Sequence, residues 1–469
     1  MHLHRTWAAG LGSSLGLAAA LAWPQHALAD PASDVEQLKK DIADLRQSYE
    51  ARLQAMEQKL LQLQQAAPAA APAEPPSPAP APAAAAANSA SAFNPAISLI
   101  LNGTYANLSQ DPARYRLQGF MPSGGEVGPG RRSFQLGESE LGFAATIDPT
   151  FSGHLTFSLS PNDSGDDTVS VEEAVFERQG LFDGATLTGG RFLSSIGYLN
   201  SQHAHAWDFV DAPLAYQAFF GGPLKTDGLH LHWLAPIERF VELGAEVGSG
   251  ATFPGNDTGR NGIGSAALFA HLGDDVGDSA SWRAGLSVLR QRAQDRRYED
   301  LDASGNDHGA SFSGHSTTWV ADAIYKWAPG GNATRENLKL QGEYFRRTED
   351  GTLAQAAAVG GYRSTQSGWY LQAVYQFMPQ WRVGARYDRL DAGSLGIGLV
   401  DDGTLSAADL PVLQRATPTR STLMVDYSLS EFSRFRLQLA NDRSRGDATD
   451  RQLFLQYIMS LGAHGAHSF

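Results

Sequence analysis

Residues Trp369-Tyr370-Leu371-Gln372-Ala373-Val374-Tyr375-Gln376-Phe377 lead into Met378-Pro379-Gln380 and out again through Trp381-Arg382-Val383-Gly384-Ala385-Arg386-Tyr387-Asp388. In the first run Trp369, Leu371, Ala373, Tyr375 and Phe377 form an apolar set, and Tyr370, Gln372, Val374 and Gln376 lie between them. In the second, Trp381, Val383, Ala385 and Tyr387 alternate with Arg382, Arg386 and Asp388. An extended chain points successive side chains to opposite faces, so each run has one apolar face and one polar face. A short Pro-containing connection between two such runs predicts an antiparallel hairpin. The same period places Leu338, Leu340 and Tyr344 on one side of another run and Lys339, Gln341, Glu343 and Arg347 on the other.

Working outward from this hairpin, alternating runs recur from Phe93 to the C-terminus and predict about sixteen strands. The connections between them differ systematically in length. Asp148-Pro149-Thr150, Pro236-Ile237-Glu238, Met378-Pro379-Gln380 and Ser430-Glu431-Phe432-Ser433 are short, whereas 110–131, 197–227, 292–312, 348–365 and 389–419 are long. A soluble β-sandwich would also alternate, but it would bury its apolar face. Short turns at one end and long loops at the other are the mark of a closed barrel in a bacterial outer membrane, with its apolar face in lipid and its polar face in the lumen. The fold class expected is therefore all-β, a transmembrane antiparallel β-barrel preceded by a coiled-coil helix.

The first ninety or so residues support export. Residues 1–29 begin with His2, His4 and Arg5, continue through an apolar stretch and end in Ala27-Leu28-Ala29, the layout of a cleavable signal peptide. A retained anchor helix fits less well, because Gly10, Gly12, Gly16 and Pro24 interrupt the run. In 30–65, Val35, Leu38, Ile42, Leu45 and Tyr49 recur at steps of three and four, and after one stutter Leu53, Met56, Leu60 and Leu63 resume the stripe. This is a coiled-coil seam, and it predicts self-association, with a homotrimer as the expected state; a solvated helix of a monomer fits the same pattern. Residues 66–92 are almost wholly Ala, Pro, Ser and Glu and predict an extended spacer between a periplasmic arm and the barrel at 93–469.

Composition narrows the function classes. Asp and Glu number 50 against 36 Lys and Arg, which argues against a nucleic-acid partner. Cysteine is absent, which removes disulfides and every thiol-based metal site or nucleophile. Many Ser, His and Asp residues are present, but no local motif joins them into a catalytic constellation, so no enzyme is expected.

The most informative stretch for chemistry closes the fifth strand and opens the next loop, Gly190-Arg191-Phe192 to Tyr198, followed by His203-Ala204-His205-Ala206-Trp207-Asp208-Phe209. By analogy with sixteen-stranded porins, in which the loop at this place folds into the lumen and sets the constriction, His203, His205 and Asp208 are candidates to line the narrowest part. Just beyond it, Leu229, Leu231 and Trp233 alternate with His230 and His232, which puts both histidines on the lumenal face. Four imidazoles and a carboxylate suit Zn²⁺ or another borderline divalent ion. Histidines that merely hydrogen-bond to shape the loop would leave the same pattern. Arg382, Arg386, Arg434 and Arg436 share the inward set with Glu242 and Glu246, which predicts either a transverse field or a charge-balanced wall.

The arm, the Gly190-Arg191-Phe192 to Tyr198 segment and the strand count resemble the phosphate-selective porin O and P family. That resemblance implies a trimeric sixteen-stranded channel. The stretch His203-Ala204-His205-Ala206-Trp207-Asp208-Phe209-Val210-Asp211-Ala212-Pro213 resembles an uncharacterised group labelled zinc-regulated outer-membrane receptors. Where a phosphate path calls for Lys and Arg, this loop carries His and Asp. The expected function is a porin-like passive channel in the outer membrane for small solutes or ions, divalent metal such as zinc included, with no cofactor required. The rival is a structural or tethering protein whose coiled coil contacts the cell wall or a periplasmic partner and whose barrel is closed.

Overall fold

The computed structural model describes residues 95–462, apart from 125–126, 162–166, 257–260, 302–305 and 447. The expected signal peptide, coiled-coil arm and spacer, together with His464, His467 and Phe469, lie outside the described residues.

Seventeen strands form one sheet: β1 (Ala96–Leu108), β2 (Ser133–Leu136), β3 (Ser139–Thr146), β4 (Phe151–Pro161), β5 (Asp167–Gln179), β6 (Ala185–Leu193), β7 (Lys225–Leu234), β8 (Phe240–Gly248) and β9 (Ser265–Val276) make its first part. It continues with β10 (Ala280–Tyr298), β11 (Ala310–Trp327), β12 (Asn337–Gln355), β13 (Ala358–Met378), β14 (Trp381–Ile397), β15 (Thr419–Ser430), β16 (Ser433–Asp442) and β17 (Asp450–Gly462). From β3 onward consecutive strands pair antiparallel, and β1 closes the ring on β17 through a register from Ser98↔Gly462 to Leu108↔Gln452. Strands β2 and β3 both pair with β1, through Gly103↔Leu136 and Ile100↔Glu140, so they are two pieces of one wall position. The barrel thus has sixteen positions around its circumference.

Alternation assigns the faces as the sequence predicts. Leu340, Tyr344, Leu371, Trp381, Val383, Tyr387, Leu423, Leu437 and Leu455 are exposed on the outer surface, while Gln341, Glu343, Tyr370, Gln372, Arg386 and Asp388 are buried inside. An apolar band this extensive has no place against water. On a closed barrel it marks the lipid-facing girdle of an outer-membrane protein, because closure satisfies every backbone donor and acceptor within the wall.

The strands β10 to β14 run further than the hydrophobic pattern suggests. Residues 348–365, expected as a long connection, are instead the top of the β12–β13 hairpin, closed at Ala356, whose φ is +50°. Likewise β10 continues to Tyr298, β11 starts at Ala310 and β14 continues to Ile397, so the loops expected at 292–312 and 389–419 shrink to 299–309 and 398–418. About ten residues suffice to cross the hydrocarbon. Above that height neither face meets lipid, so the apolar half of the alternation disappears and a paired strand reads as loop.

Three outer connections, 109–132, 194–224 and 398–418, supply side chains to the interior. Phe120, Ile196, Leu199, Leu214 and Phe219 pack with the inward-facing Leu289, Val320, Phe345, Tyr370 and Leu390. Met121, Leu410, Val412 and Leu413 pack with Ala293, Phe312, Leu353 and Tyr362. The core of the molecule therefore sits inside the barrel, where each buried Leu or Phe contributes about 1.5–3 kcal/mol.

Candidate functional site in the barrel lumen

The segment 194–224 leaves β6 and returns to β7, and its base is clasped by side chains. Glu246 of β8 accepts from Ser194 Oγ and from Ser195 N, each at 2.7 Å. Asn200 donates to Ser194 O and Leu224 O and accepts from Leu224 N, which ties the two ends together. Gly197 has φ +73°, and a Cβ there would lie 2.2 Å from Glu343 Oε2, so the close approach requires glycine. Glu343 in turn accepts from Leu199 N, Tyr216 Oη and Tyr370 Oη. A short helix, α1 (Leu214–Phe220), is buried along its whole length, and Phe219 stacks on Phe345 of β12 with ring centroids 5.7 Å apart.

Between these anchors the chain lies against two walls. His203 and His205 face carboxylates of β3 and β5. His205 Nδ1 is 2.6 Å from Glu140 Oε1, and His203 Nδ1 is 3.2 Å from Glu140 Oε2 and 3.4 Å from Glu172 Oε2. His203 Nε2 donates to Glu173 Oε2 at 2.9 Å, and His154 Nε2 reaches the same oxygen at 3.4 Å. Lys225 Nζ lies 3.6 Å from Glu172 Oε1. Burial alone would lower the His203 pKa, but Glu140, Glu172 and Glu173 outweigh it and raise it well above the ordinary imidazole value.

Asp208 and Asp211 face a wall of arginines on β14 to β16. Asp208 is paired with Lys339 and with Arg382, the latter at 3.3 Å. Asp211 is paired with Arg386 at 2.9 Å and with Arg420. Asp388 and Asp426 complete the lattice through Arg386 and Arg436, at 3.0 and 2.8 Å. Arg434 and Arg436 donate to His205 O and Trp207 O, and Arg420 donates to Ala212 O. Burial works to raise both loop carboxyls, but the cations outweigh it and hold Asp208 and Asp211 below the usual carboxylate range.

The expected residues are thus divided among three places. His203 and His205 come together, Asp208 is engaged by the cationic wall, and His230 and His232 pack on each other with ring centroids 5.4 Å apart. His230 also lies against Phe192 and Phe269. Of the lumenal acids, Glu246 serves the loop base and Glu242 accepts from His271 at 2.7 Å. Among the described residues, the groups whose ligand atoms converge within 4.8 Å are Glu140–His203–His205 and Glu138–Glu140–Glu172, and neither includes Asp208, His230 or His232.

Sequence reasoning missed Glu140, Glu172 and Glu173. Two consecutive glutamates cannot both face the lumen in a regular strand, yet both do so here, because β5 is bulged. Thr156 opposes Glu173 and Phe157 opposes Val171, which leaves Glu172 as the extra residue. The signal was a change of parity, since Val169 is exposed before the bulge and Phe176 after it.

A cavity of about 580 Å³ remains beside the segment, lined by Asn102, Thr104, Gln135 and Gln456 of the wall and by Trp207 and Asp211 of the loop.

No protein-family profile matches the chain. An uncharacterized protein of Aquifex aeolicus (strain VF5) is 30% identical over 408 residues, 81% of each chain. Solved barrels are similar at a lower level. OprB of Pseudomonas putida is 17% identical with a TM-score of 0.48, covering 78% of this chain and 94% of that one. The trimer form of Vibrio cholerae OmpT is 11% identical with a TM-score of 0.46, covering 78% and 98%. An anion-selective porin of Comamonas acidovorans is also 11% identical with a TM-score of 0.46, covering 78% and 99%.

Proposed function

We propose that this chain, which belongs to the same family as the uncharacterized Aquifex aeolicus protein, is a passive outer-membrane channel for small solutes and ions in which the segment 194–224 sets the constriction. One observation carries this reading: the segment is held by side chains of β3, β5 and β8 at one end and of β12 to β16 at the other, and an open cavity with mixed polar lining persists beside it. A loop held against both walls stays within the lumen and so defines an aperture. The residues flanking it are Glu and His on one side and Arg and Asp on the other, which favours a small charged solute over a bulky apolar one. A divalent metal such as zinc is among the solutes or ligands this lining suits, more so than phosphate, because His203 and His205 stand among carboxylates. A homotrimer is the assembly proposed, from the heptad stripe of 30–65. No reaction is part of this reading.

A second reading, a tether with a closed barrel, is favoured by the apolar packing of Phe120, Leu214 and Phe219 against the wall. Single-channel recording in planar bilayers separates the two. Discrete conductance steps from folded protein, larger in a chain lacking 201–213, are the expected result. Folded protein with no steps would leave the tether.

A further inference from the structure

We propose that Glu140, Glu172, His203 and His205 form a binding site for a divalent transition-metal ion of the zinc class, which latches the segment 194–224 onto the β3–β5 wall. The latch deepens the reading of that segment given above and rests on it for its consequence, control of the aperture.

The first support is distance. A tetrahedral zinc ion with nitrogen and oxygen ligands holds its donor atoms about 3.3 Å apart. His203 Nδ1 stands 3.2 Å from Glu140 Oε2 and 3.4 Å from Glu172 Oε2. Those separations are at or beyond the long end of a good hydrogen bond, yet they match the edge of such a tetrahedron. His205 Nδ1 is hydrogen-bonded to the other oxygen of Glu140 at 2.6 Å, and it would join the ligand set by giving up that bond.

The second support is a set of buried atoms lacking hydrogen bonds. Glu172 is fully buried, and neither of its oxygens makes a hydrogen bond; nor does His203 Nδ1. Buried polar atoms normally find partners, because leaving one without costs on the order of 1–3 kcal/mol. Here the atoms lacking them belong to side chains that meet at one point.

The third support lies behind the ligands. A metal-bound imidazole usually donates its distal N–H to a carboxylate, which fixes the ring and makes it a better ligand. His203 does this through Nε2 to Glu173, and Glu173 is steadied in turn by His154.

Charge points the same way. Glu138, Glu140, Glu172 and Glu173 gather in a space where the fixed cation beside Glu172 is Lys225. Protons on both histidines would also supply positive charge. A divalent cation supplies it without them, and the two rings lie side by side against Glu140, with centroids 5.6 Å apart and an interplanar angle of 26°. Neutral imidazole is the form that binds metal.

The test uses untagged full-length chain, folded in detergent, stripped with chelator and titrated with Co²⁺, whose tetrahedral complexes absorb in the visible. The expected result is about one Co²⁺ per chain with a visible band, displaced by Zn²⁺. The band should vanish in H203A/H205A and in E140Q, which keeps an acceptor and so guards against simple misfolding. It should persist in H230A/H232A and in H464A/H467A. E173Q, which leaves every ligand in place, should weaken binding by about tenfold or more. Folded protein that binds no Co²⁺, or that binds it equally well in E140Q, overturns the site. Conductance steps without metal binding would overturn the latch and leave the channel. Metal binding without conductance would keep the site and overturn the channel.

Discussion

Within the single stretch from His203 to Asp211 the lumen segment touches two walls of opposite chemistry, and the two contacts are built differently. On the β12–β16 side acids and bases interleave, so that every acid has fixed cations beside it. Asp208 has Lys339 and Arg382, Asp211 has Arg386 and Arg420, and Asp426 has Arg436. On the β3–β5 side the carboxylates outnumber the fixed cations, and titratable imidazoles stand between them. The arginine wall is a permanent clamp whose strength does not depend on what is bound. The glutamate wall gains strength when a cation arrives. A loop held by one of each has a fixed end and a conditional end, which is what an adjustable aperture requires.

The largest effect is expected from breaking the fixed end. Asp211→Ala leaves Arg386 and Arg420 buried with one carboxylate fewer, and losing one partner of a buried pair costs roughly 3–5 kcal/mol. A lower urea midpoint and rapid proteolytic cleavage within 194–224 are expected in D211A. A chain that keeps wild-type protection would mean that the clamp lies elsewhere.

Acid should reach the fixed end only at extremes. Asp208 and Asp211 are depressed in the folded chain, so their stabilisation is complete above the unfolded value of about 3.9 and is lost as pH falls through the lower folded values. Fluorescence of the buried Trp207 should therefore stay constant from pH 7 to about pH 4.5 and change in stronger acid. In D208N that acid step should shrink. A transition centred near pH 6 would show that the fixed end is not held by these aspartates.

The barrel was legible in the sequence to a degree the site was not, and the reason is physical. Trp381, Val383, Ala385 and Tyr387 face lipid, so the period-two signal is enforced along the whole membrane-crossing part of β14. Beyond it, Asp391 to Ile397 remain paired with β13, yet no solvent asymmetry marks them. The loop histidines and Asp208 were visible as a dense local cluster. Their partners were not, because Glu140, Glu173, Arg382 and Lys339 are brought to them by closure of the ring, across sequence separations that periodicity does not encode. His230 and His232 alternate with Leu229, Leu231 and Trp233 along β7, but a shared face does not place a residue at the same height as the loop. The bulge at Glu172 is the clearest case, since a shift of one residue brings two consecutive acids into the lumen, Glu172 among the proposed ligands and Glu173 behind His203.

The smallest effect sharpens the comparison most. Glu172→Gln keeps the volume of a buried side chain whose oxygens make no hydrogen bond, and it removes one of several neighbouring negative charges. In chelator its unfolding free energy should stay within about 1 kcal/mol of that of the parent, because like-charge relief offsets the weakened attraction to Lys225 and His203. D211N, also a single carboxylate neutralised in the same lumen, should by contrast lose several times that amount. If E172Q proved as costly as D211N without any metal present, protons on His203 and His205 would already be balancing the glutamate wall. Both ends of the loop would then be fixed, and a cation would have nothing left to fasten.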